Sequence, residues 1–161
     1  MWFFRDDLER WKEVEWMVLH SLLDKWLKVI PNPNEKWIDL LIILWWIEVK
    51  LDNYSLHSGN FYIEFECNWK QSWIFKEEQF PLTCWAQCTS EMCYLVDWVK
   101  LRNFIEQEII NCRANKTLTS KWIRLVENWW NWWRTKGLLI PVERFNELCF
   151  TTINISENLK N

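Results

Sequence analysis

Small residues are scarce in this chain. Its 161 residues include 2 Gly, 2 Ala and 4 Pro. A Walker loop, a GxGxxG turn or a glycine-rich kinase loop needs several glycines, because only Gly lets the backbone approach phosphates closely. The composition therefore excludes P-loop NTPases, Rossmann dehydrogenases and kinases with a glycine-rich loop.

A long apolar run and a strong charge imbalance are missing as well. The longest apolar run, residues 37–49, is interrupted by Asp39 and Glu48 and is shorter than the roughly 20 residues of a membrane-spanning helix. Residues 1–7 lack the order of a signal peptide. The net charge of -3 does not suit binding along a nucleic-acid backbone. We therefore expect a cytoplasmic protein with no membrane contact.

Metal-binding and catalytic spacings are also lacking. The chain has 6 Cys, and without a secretory signal we expect reduced thiols. Zinc ligands usually come as Cys-x2-Cys pairs, whereas Cys84, Cys88 and Cys93 are separated by three and four residues. Neither His20 nor His57 is linked by sequence to a thiol. We expect no metal, no cofactor and no catalytic residue, so the protein is not expected to be an enzyme.

Hydrophobic periodicity predicts both helices and strands. Apolar residues at helical spacing predict a helix within 12–29 and a second long helix from Trp85 to about Ile105. The apolar stretch 37–51 fits a buried strand or a short buried helix. Residues 61–66 alternate as a half-exposed strand does, and 73–75 begin another strand. Together these patterns predict one α+β domain over residues 1–161.

Two later segments are less clear from periodicity. Residues 108–113 fit a helix end or a strand, and 121–127 fit either structure. A helix is expected to end near Arg134 and Lys136, because cations favour a helix C-terminus and Gly137 can supply a left-handed stop.

Tryptophan is the residue in surplus. The chain has 16 Trp, more than one small core comfortably holds, so some indoles should be partly exposed. An exposed indole stacks a base, a cation or a sugar, and contributes about 1–3 kcal/mol per stacked base. This surplus points to a small planar or cationic ligand.

Several short segments, taken in order, resemble the cap-binding translation initiation factor 4E family. The firmest block is the stretch 110–114 with Trp122 eight residues after it and Glu127-Asn128 beyond, similar to the family's phosphate-binding Arg strand and the Trp next to the cap methyl group. The other matching segments are Trp2-Phe3-Phe4 with Trp11, residues 23–26, Tyr54-Ser55-Leu56, Phe65-Glu66, Trp73 and Trp85.

The resemblance implies a curved antiparallel β-sheet with helices packed on its convex face, strands at 108–114 and 121–127, and a helix near 129–136. Its implied function is binding of the 7-methylguanosine cap of mRNA in translation initiation or its regulation. Trp11 and Phe65 would sandwich the methylated base, and Glu66 would accept hydrogen bonds from guanine. The remaining roles fall to Arg113 for the triphosphate, Trp122 for the methyl group and Trp26 for a helical motif of a scaffold or repressor protein.

The chain departs from the family pattern at several positions. The second stacking residue is Phe65 rather than Trp, with Tyr62 as a rival. Ser72 and Leu118 stand where the family has basic residues, which leaves Lys70 and Lys116 as substitutes. Residues 31–50 include about ten extra residues for which the family offers no guide.

Other interpretations of the aromatic surplus stay open. A non-catalytic Trp-rich interaction subunit or viral adaptor would use the same side chains against other proteins. Membrane-surface attachment through residues 122–136, or a carbohydrate-binding module, would also use exposed Trp.

Overall fold

A computed structural model describes residues 12, 29–31, 40–42, 45–75, 82–114, 122–130 and 133–155. These residues form two mostly antiparallel β-sheets and three α-helices, which confirms the α+β class. Contacts divide the chain into two compact units. Unit 1 comprises residues 1–53, 80–98 and 149–161, and unit 2 comprises residues 54–79 and 99–148. None of the described helices is both long and apolar enough to cross a membrane.

Unit 1 is built on a six-stranded sheet. Its strands are β1 (Val29–Pro31), β2 (Leu40–Ile42), β3 (Trp45–Leu51), β6 (Leu82–Cys88), β7 (Met92–Asp97) and β10 (Thr151–Asn154), in the order β1-β2-β3-β6-β7-β10. All neighbours pair antiparallel except β3 and β6, which are parallel. For the stretch 37–51, the strand alternative is thus confirmed at 40–42 and 45–51. The core of this sheet includes Ile47, Val49, Ala86 and Leu95.

The predicted helix from Trp85 to about Ile105 is wrong over its first half, where the chain forms the β6–β7 hairpin. Strand β6 is buried on both faces, from Cys84 to Cys88, so its apolar residues show no alternation that would reveal a strand. The turn is fixed by Thr89, whose Oγ1 accepts from the N–H groups of Glu91 and Met92.

The hairpin also corrects the expectation that all six cysteines are reduced. Cys88 and Cys93 are direct cross-strand partners with Cα atoms 4.1 Å apart, and their sulfurs form a disulfide. The four cysteines outside this disulfide are Cys67, Cys84, Cys112 and Cys149.

Unit 2 is built on a four-stranded sheet and a long helix. The strands are β4 (Asn60–Cys67), β5 (Lys70–Gln71), β8 (Arg124–Trp130) and β9 (Trp133–Pro141), in the order β5-β4-β9-β8. Short helix α1 (Ser55–Ser58) precedes β4. Short helix α3 (Val142–Asn146) follows β9. The predicted strand at 61–66 is confirmed: Phe61, Ile63 and Phe65 are buried and the residues between them are partly exposed.

Helix α2 (Trp98–Ala114) continues through the segment that the family resemblance assigned to a strand. Its buried residues Leu101, Ile105, Ile109 and Cys112 recur at three or four, the helical period. Cys112 also donates its S–H to the carbonyl oxygen of Ile123, just before β8. The strand prediction for 108–114 is therefore wrong, because an apolar helix face in unit 2 overrides the local β-branched Ile109-Ile110 pair.

Strands β8 and β9 form a hairpin in which Glu127 lies opposite Lys136. The prediction of a helix that ends near Arg134 and Lys136 is therefore wrong, and so is the helix near 129–136 that the resemblance implied. The strand prediction for 121–127 is confirmed from Arg124 onward. Residues Trp73–Phe75 form a 3-10 turn rather than a strand. Of the predicted helix within 12–29, the structure describes only Lys12, which is helical, and Val29, which begins strand β1. The rest of that segment lies outside the described residues, as do Trp2 and Trp11.

Gly137 is needed for space rather than for a helix stop. It lies in β9 opposite Glu64, and a Cβ built there would overlap the Tyr62 ring and lie 2.8 Å from the carbonyl oxygen of Ile63. Gly59, in contrast, has a φ of 68° after helix α1 and open space around it.

We predict that Gly137→Ala lowers the free energy of unfolding by about 1–3 kcal/mol through overpacking. Gly59→Ala should cost about 1 kcal/mol through its left-handed backbone alone. Urea denaturation of both variants and of Gly137→Ala/Tyr62→Ala measures these costs. Removing the ring should recover part of the loss, but not the part due to the Ile63 carbonyl. Full tolerance of Gly137→Ala would contradict this packing.

Burial also governs the thiols. It raises the pKa of the Cys84 thiol to about 12, with the nearby Asp97 carboxylate adding to the effect. The unfolded chain loses this proton near pH 9, whereas the folded chain keeps it. Stability from Cys84 is therefore present below about pH 9 and is lost as pH rises toward 12.

We predict that the stability of the native chain falls more steeply than that of Cys84→Ala between pH 8.5 and 10.5 in urea denaturation. Alkylation at pH 8 should modify the partly exposed Cys67 well before the buried Cys84 and Cys112. Parallel pH profiles of the two proteins would contradict the burial of this thiol.

Candidate functional site

A β-bulge brings Glu66 onto the apolar face of the unit 2 sheet. Ile63 and Leu125 both pair with Leu138 in one row across β4, β9 and β8. The register then shifts between Glu64 and Glu66, so that Glu66 and Glu127 both pair with Lys136 in the next row. Because a bulge adds one residue to one strand, it re-aims the side chains that follow it. The apolar face therefore continues into a row of charges.

Arg134 lies in the row beyond, directly opposite Trp129 of β8. Its guanidinium carbon Cζ is 3.7 Å from the ring centroid of Trp69 and 5.2 Å from that of Trp129. Both distances fall within the range of a cation–π contact. The two indoles come from opposite sides of β9, since Trp69 follows β4 and Trp129 belongs to β8. We call Trp69, Trp129, Arg134, Lys136, Glu66 and Glu127 the Trp–Arg face.

The indoles are exposed while the cation is covered. Trp69 and Trp129 are 73% and 69% exposed, whereas the Arg134 side chain is 12% exposed. An exposed large aromatic side chain is an informative departure from ordinary packing, and two of them at one cation mark this surface as a candidate site.

The tight turn between β4 and β5 positions Trp69. Asn68 and Trp69 have φ values of 47° and 67°, a left-handed conformation that is unusual for a bulky residue. Two bonds tie the turn to β9: Asn68 N–H donates to the Arg134 carbonyl oxygen at 2.8 Å, and Arg134 N–H donates to Asn68 Oδ1 at 2.9 Å. The backbone of Arg134 thus holds the turn that places an indole over its own side chain.

Ion pairs link the charged side chains of the Trp–Arg face. Arg134 Nε donates to Glu127 Oε1, and Lys136 Nζ lies 2.8 Å from Glu66 Oε1. The hydrogen bond from Arg134, with the charges of Arg134 and Lys136, holds the pKa of the Glu127 carboxyl below its ordinary value. The same hydrogen bond raises the pKa of Arg134. The face therefore pairs two basic side chains with two acidic ones.

The structure brings one of the sequence-predicted site residues into this face, namely Glu66. Phe65 is 4% exposed and its ring lies 6.4 Å from that of Phe75, so it presents no open face. Its rival Tyr62 is half-buried and donates its hydroxyl to Thr135 Oγ1 at 3.0 Å. Arg113 is an exposed residue in the last turn of helix α2, and Trp122 is 74% exposed with a φ of 62°. Trp11 and Trp26 lie outside the described residues.

Within the described part of the chain, no group of three or more His, Cys, Asp or Glu side chains could hold a metal ion.

Comparison with known proteins adds no relative. No family model, curated protein or solved structure matches this chain.

Sequence reasoning missed Trp69, Trp129 and Arg134. It placed the last two in a helix, where their spacing of five residues would put them on different sides. The available signal was the Asn68-Trp69 pair between two strand patterns, since Asn tolerates the left-handed conformation of a hairpin turn.

We predict that Asn68→Ala lowers the free energy of unfolding by about 1–3 kcal/mol, because it loses the bond to Arg134 N–H and strains a left-handed backbone. Asn68→Gly should cost only about 1 kcal/mol, since it loses the bond without the strain. Urea denaturation followed by tryptophan fluorescence compares them. Equal losses in the two variants would show that the backbone conformation at 68 contributes nothing.

Proposed function

We propose that this protein binds the 7-methylguanosine cap of mRNA without catalysing a reaction, and that the Trp–Arg face holds the nucleotide. The observation that carries the proposal is the pair of exposed indoles of Trp69 and Trp129 at a single cation position. The cap itself comes from the resemblance of the sequence to the initiation factor 4E family.

The exposed indoles supply the stacking surfaces. Base stacking on an aromatic side chain contributes about 1–3 kcal/mol, and a positively charged base adds a cation–π term. N7-methylated guanine carries such a charge, whereas plain guanine does not. Two indoles at one position therefore favour the methylated base.

The charges of the face suit a ligand that carries both signs. Glu66 and Glu127 offer carboxylate oxygens to the N1–H and amino group of guanine, and these charge-assisted bonds are stronger than neutral ones. Lys136 and Arg134 offer cations to the phosphates, and the planar guanidinium matches phosphate oxygens. A cationic base joined to an anionic triphosphate has the charge pattern that this balanced face complements.

This assignment keeps Glu66 from the sequence and changes the residues beside it. Trp69 and Trp129 take the stacking role in place of the buried Phe65, and Arg134 and Lys136 take the phosphate role in place of Arg113. The finer fold expected from the resemblance, a curved sheet with helices on its convex face, belongs to the same proposal. So does a scaffold or repressor protein at Trp26.

We predict that 7-methyl-GTP quenches the intrinsic tryptophan fluorescence and binds at least about tenfold more tightly than GTP, owing to the cation–π contribution. Trp69→Ala and Trp129→Ala should each weaken binding by about 10- to 100-fold, the loss of one stacking contact. Fluorescence titration with both nucleotides measures the affinities.

Trp122→Ala is the matched control, because Trp122 is as exposed as Trp69 but lies outside the Trp–Arg face. It should leave the affinity unchanged. If Trp122→Ala and Trp11→Ala abolish binding while Trp69→Ala does not, the roles implied by the sequence resemblance are correct and the Trp–Arg face is not the site. If neither nucleotide binds, the exposed Trp and Arg side chains fit the alternative of a protein-interaction surface.

A further inference from the structure

The indoles of the Trp–Arg face already contact a cation, the guanidinium of Arg134. The guanidinium of Arg134 lies 3.7 Å from the ring centroid of Trp69 and 5.2 Å from that of Trp129, and the Arg134 side chain is only 12% exposed. The attraction of an aromatic ring for a cation comes from its electron-rich face. Because a bound guanidinium already uses this attraction, a second cation stacked on the same indole gains less than one that replaces Arg134.

Arg134 is held incompletely in this position. Its Nε donates to Glu127, but Nη1 is buried without a hydrogen-bond partner among the described residues. The Oε1 atom of Glu66 lies 4.0 Å from Nη1, beyond hydrogen-bond distance. A buried N–H donor without an acceptor is unfavourable, and more so on a charged group. The guanidinium therefore has bonding capacity that a phosphate oxygen could satisfy.

The neighbouring groups allow such a move. Lys136 Nζ is 5.7 Å from the Trp69 ring and 2.8 Å from Glu66 Oε1, so a carboxylate offsets the positive charge of Lys136 that remains near the indoles when the guanidinium leaves. Glu127, freed from Arg134, becomes available to the N–H groups of a base. The backbone of Arg134 stays in place, because its N–H and its carbonyl oxygen are both hydrogen-bonded to Asn68.

We propose that Arg134 is an internal occupant of the base position, which a methylated guanine replaces while the guanidinium turns to the phosphates. This inference rests on the proposed function and deepens it, because it gives Arg134 two opposite effects. It competes with the base, and it binds the triphosphate. Arg134 thereby makes the site select nucleotides over nucleosides.

The test compares 7-methylguanosine with 7-methyl-GTP on the full chain, since the nucleoside has the cationic base but no phosphate. In Arg134→Ala the nucleoside should bind about tenfold more tightly than to the native chain, because its competitor is gone. The advantage of the triphosphate over the nucleoside should shrink by about tenfold, because a phosphate contact is lost. An unchanged or weakened nucleoside affinity would overturn the inference.

Two further variants keep the test decisive. Arg134→Gln removes the guanidinium but keeps a long polar side chain at this position, so it should also strengthen nucleoside binding, by a few-fold; it carries the test if Arg134→Ala fails to fold by thermal denaturation. Arg144→Ala is the matched control, because Arg144 of helix α3 pairs with Glu147, the residue after the helix, and it should change neither affinity. An equal gain in this control would overturn the inference as well.

The experiment distinguishes a failure of the proposed cap binding from a failure of the role of Arg134. If the native chain binds 7-methyl-GTP in preference to GTP and Arg134→Ala gains nothing for the nucleoside, only the role of Arg134 is wrong. If neither the native chain nor Arg134→Ala binds either methylated ligand, cap binding at this face is wrong and the role of Arg134 fails with it.

Discussion

The contact between the Arg134 guanidinium and two exposed indoles is the interaction on which the candidate site depends. The same guanidinium contacts Trp69 and Trp129, although neither indole is buried. Its geometry depends on the backbone rather than on the side chains alone. Asn68 ties the β4–β5 turn to Arg134, and the β8–β9 register sets Trp129 opposite it.

A single register shift supplies the acidic partner. Without the bulge, strict alternation in β4 would leave Glu66 on the face opposite to Ile63. The extra residue returns it to the face of Ile63, beside Lys136, and the ionic row Glu66–Lys136–Glu127 then separates the buried apolar rows from the exposed indoles. The same sheet thus provides a core at one end and a charged, aromatic surface at the other. Gly137 fits this plan because it leaves room for the Tyr62 ring on the other face.

The tryptophans described in the two compact units differ in burial. In unit 1, Trp85 stacks on Trp98 with ring centroids 5.6 Å apart, and its Nε1–H donates to Gln87, so the indole is both packed and hydrogen-bonded. In unit 2, Trp69, Trp122, Trp129 and Trp133 are exposed. The expectation that some of the 16 indoles lie outside the core is therefore confirmed, and among the tryptophans whose burial the structure describes, the exposed ones are in unit 2.

The sequence by itself determined the α+β class, the strand at 61–66, where alternation is strict, and the surplus of indoles over core positions. Only the tertiary structure decided that residues 85–97 form a hairpin and 108–114 a helix, because doubly buried strands lack periodicity and packing outweighs local propensity. It also decided which indoles meet a cation. Trp69, Trp129 and Arg134 are up to 65 residues apart in the chain, and a strand register and a bulge, neither visible in composition or spacing, bring them together.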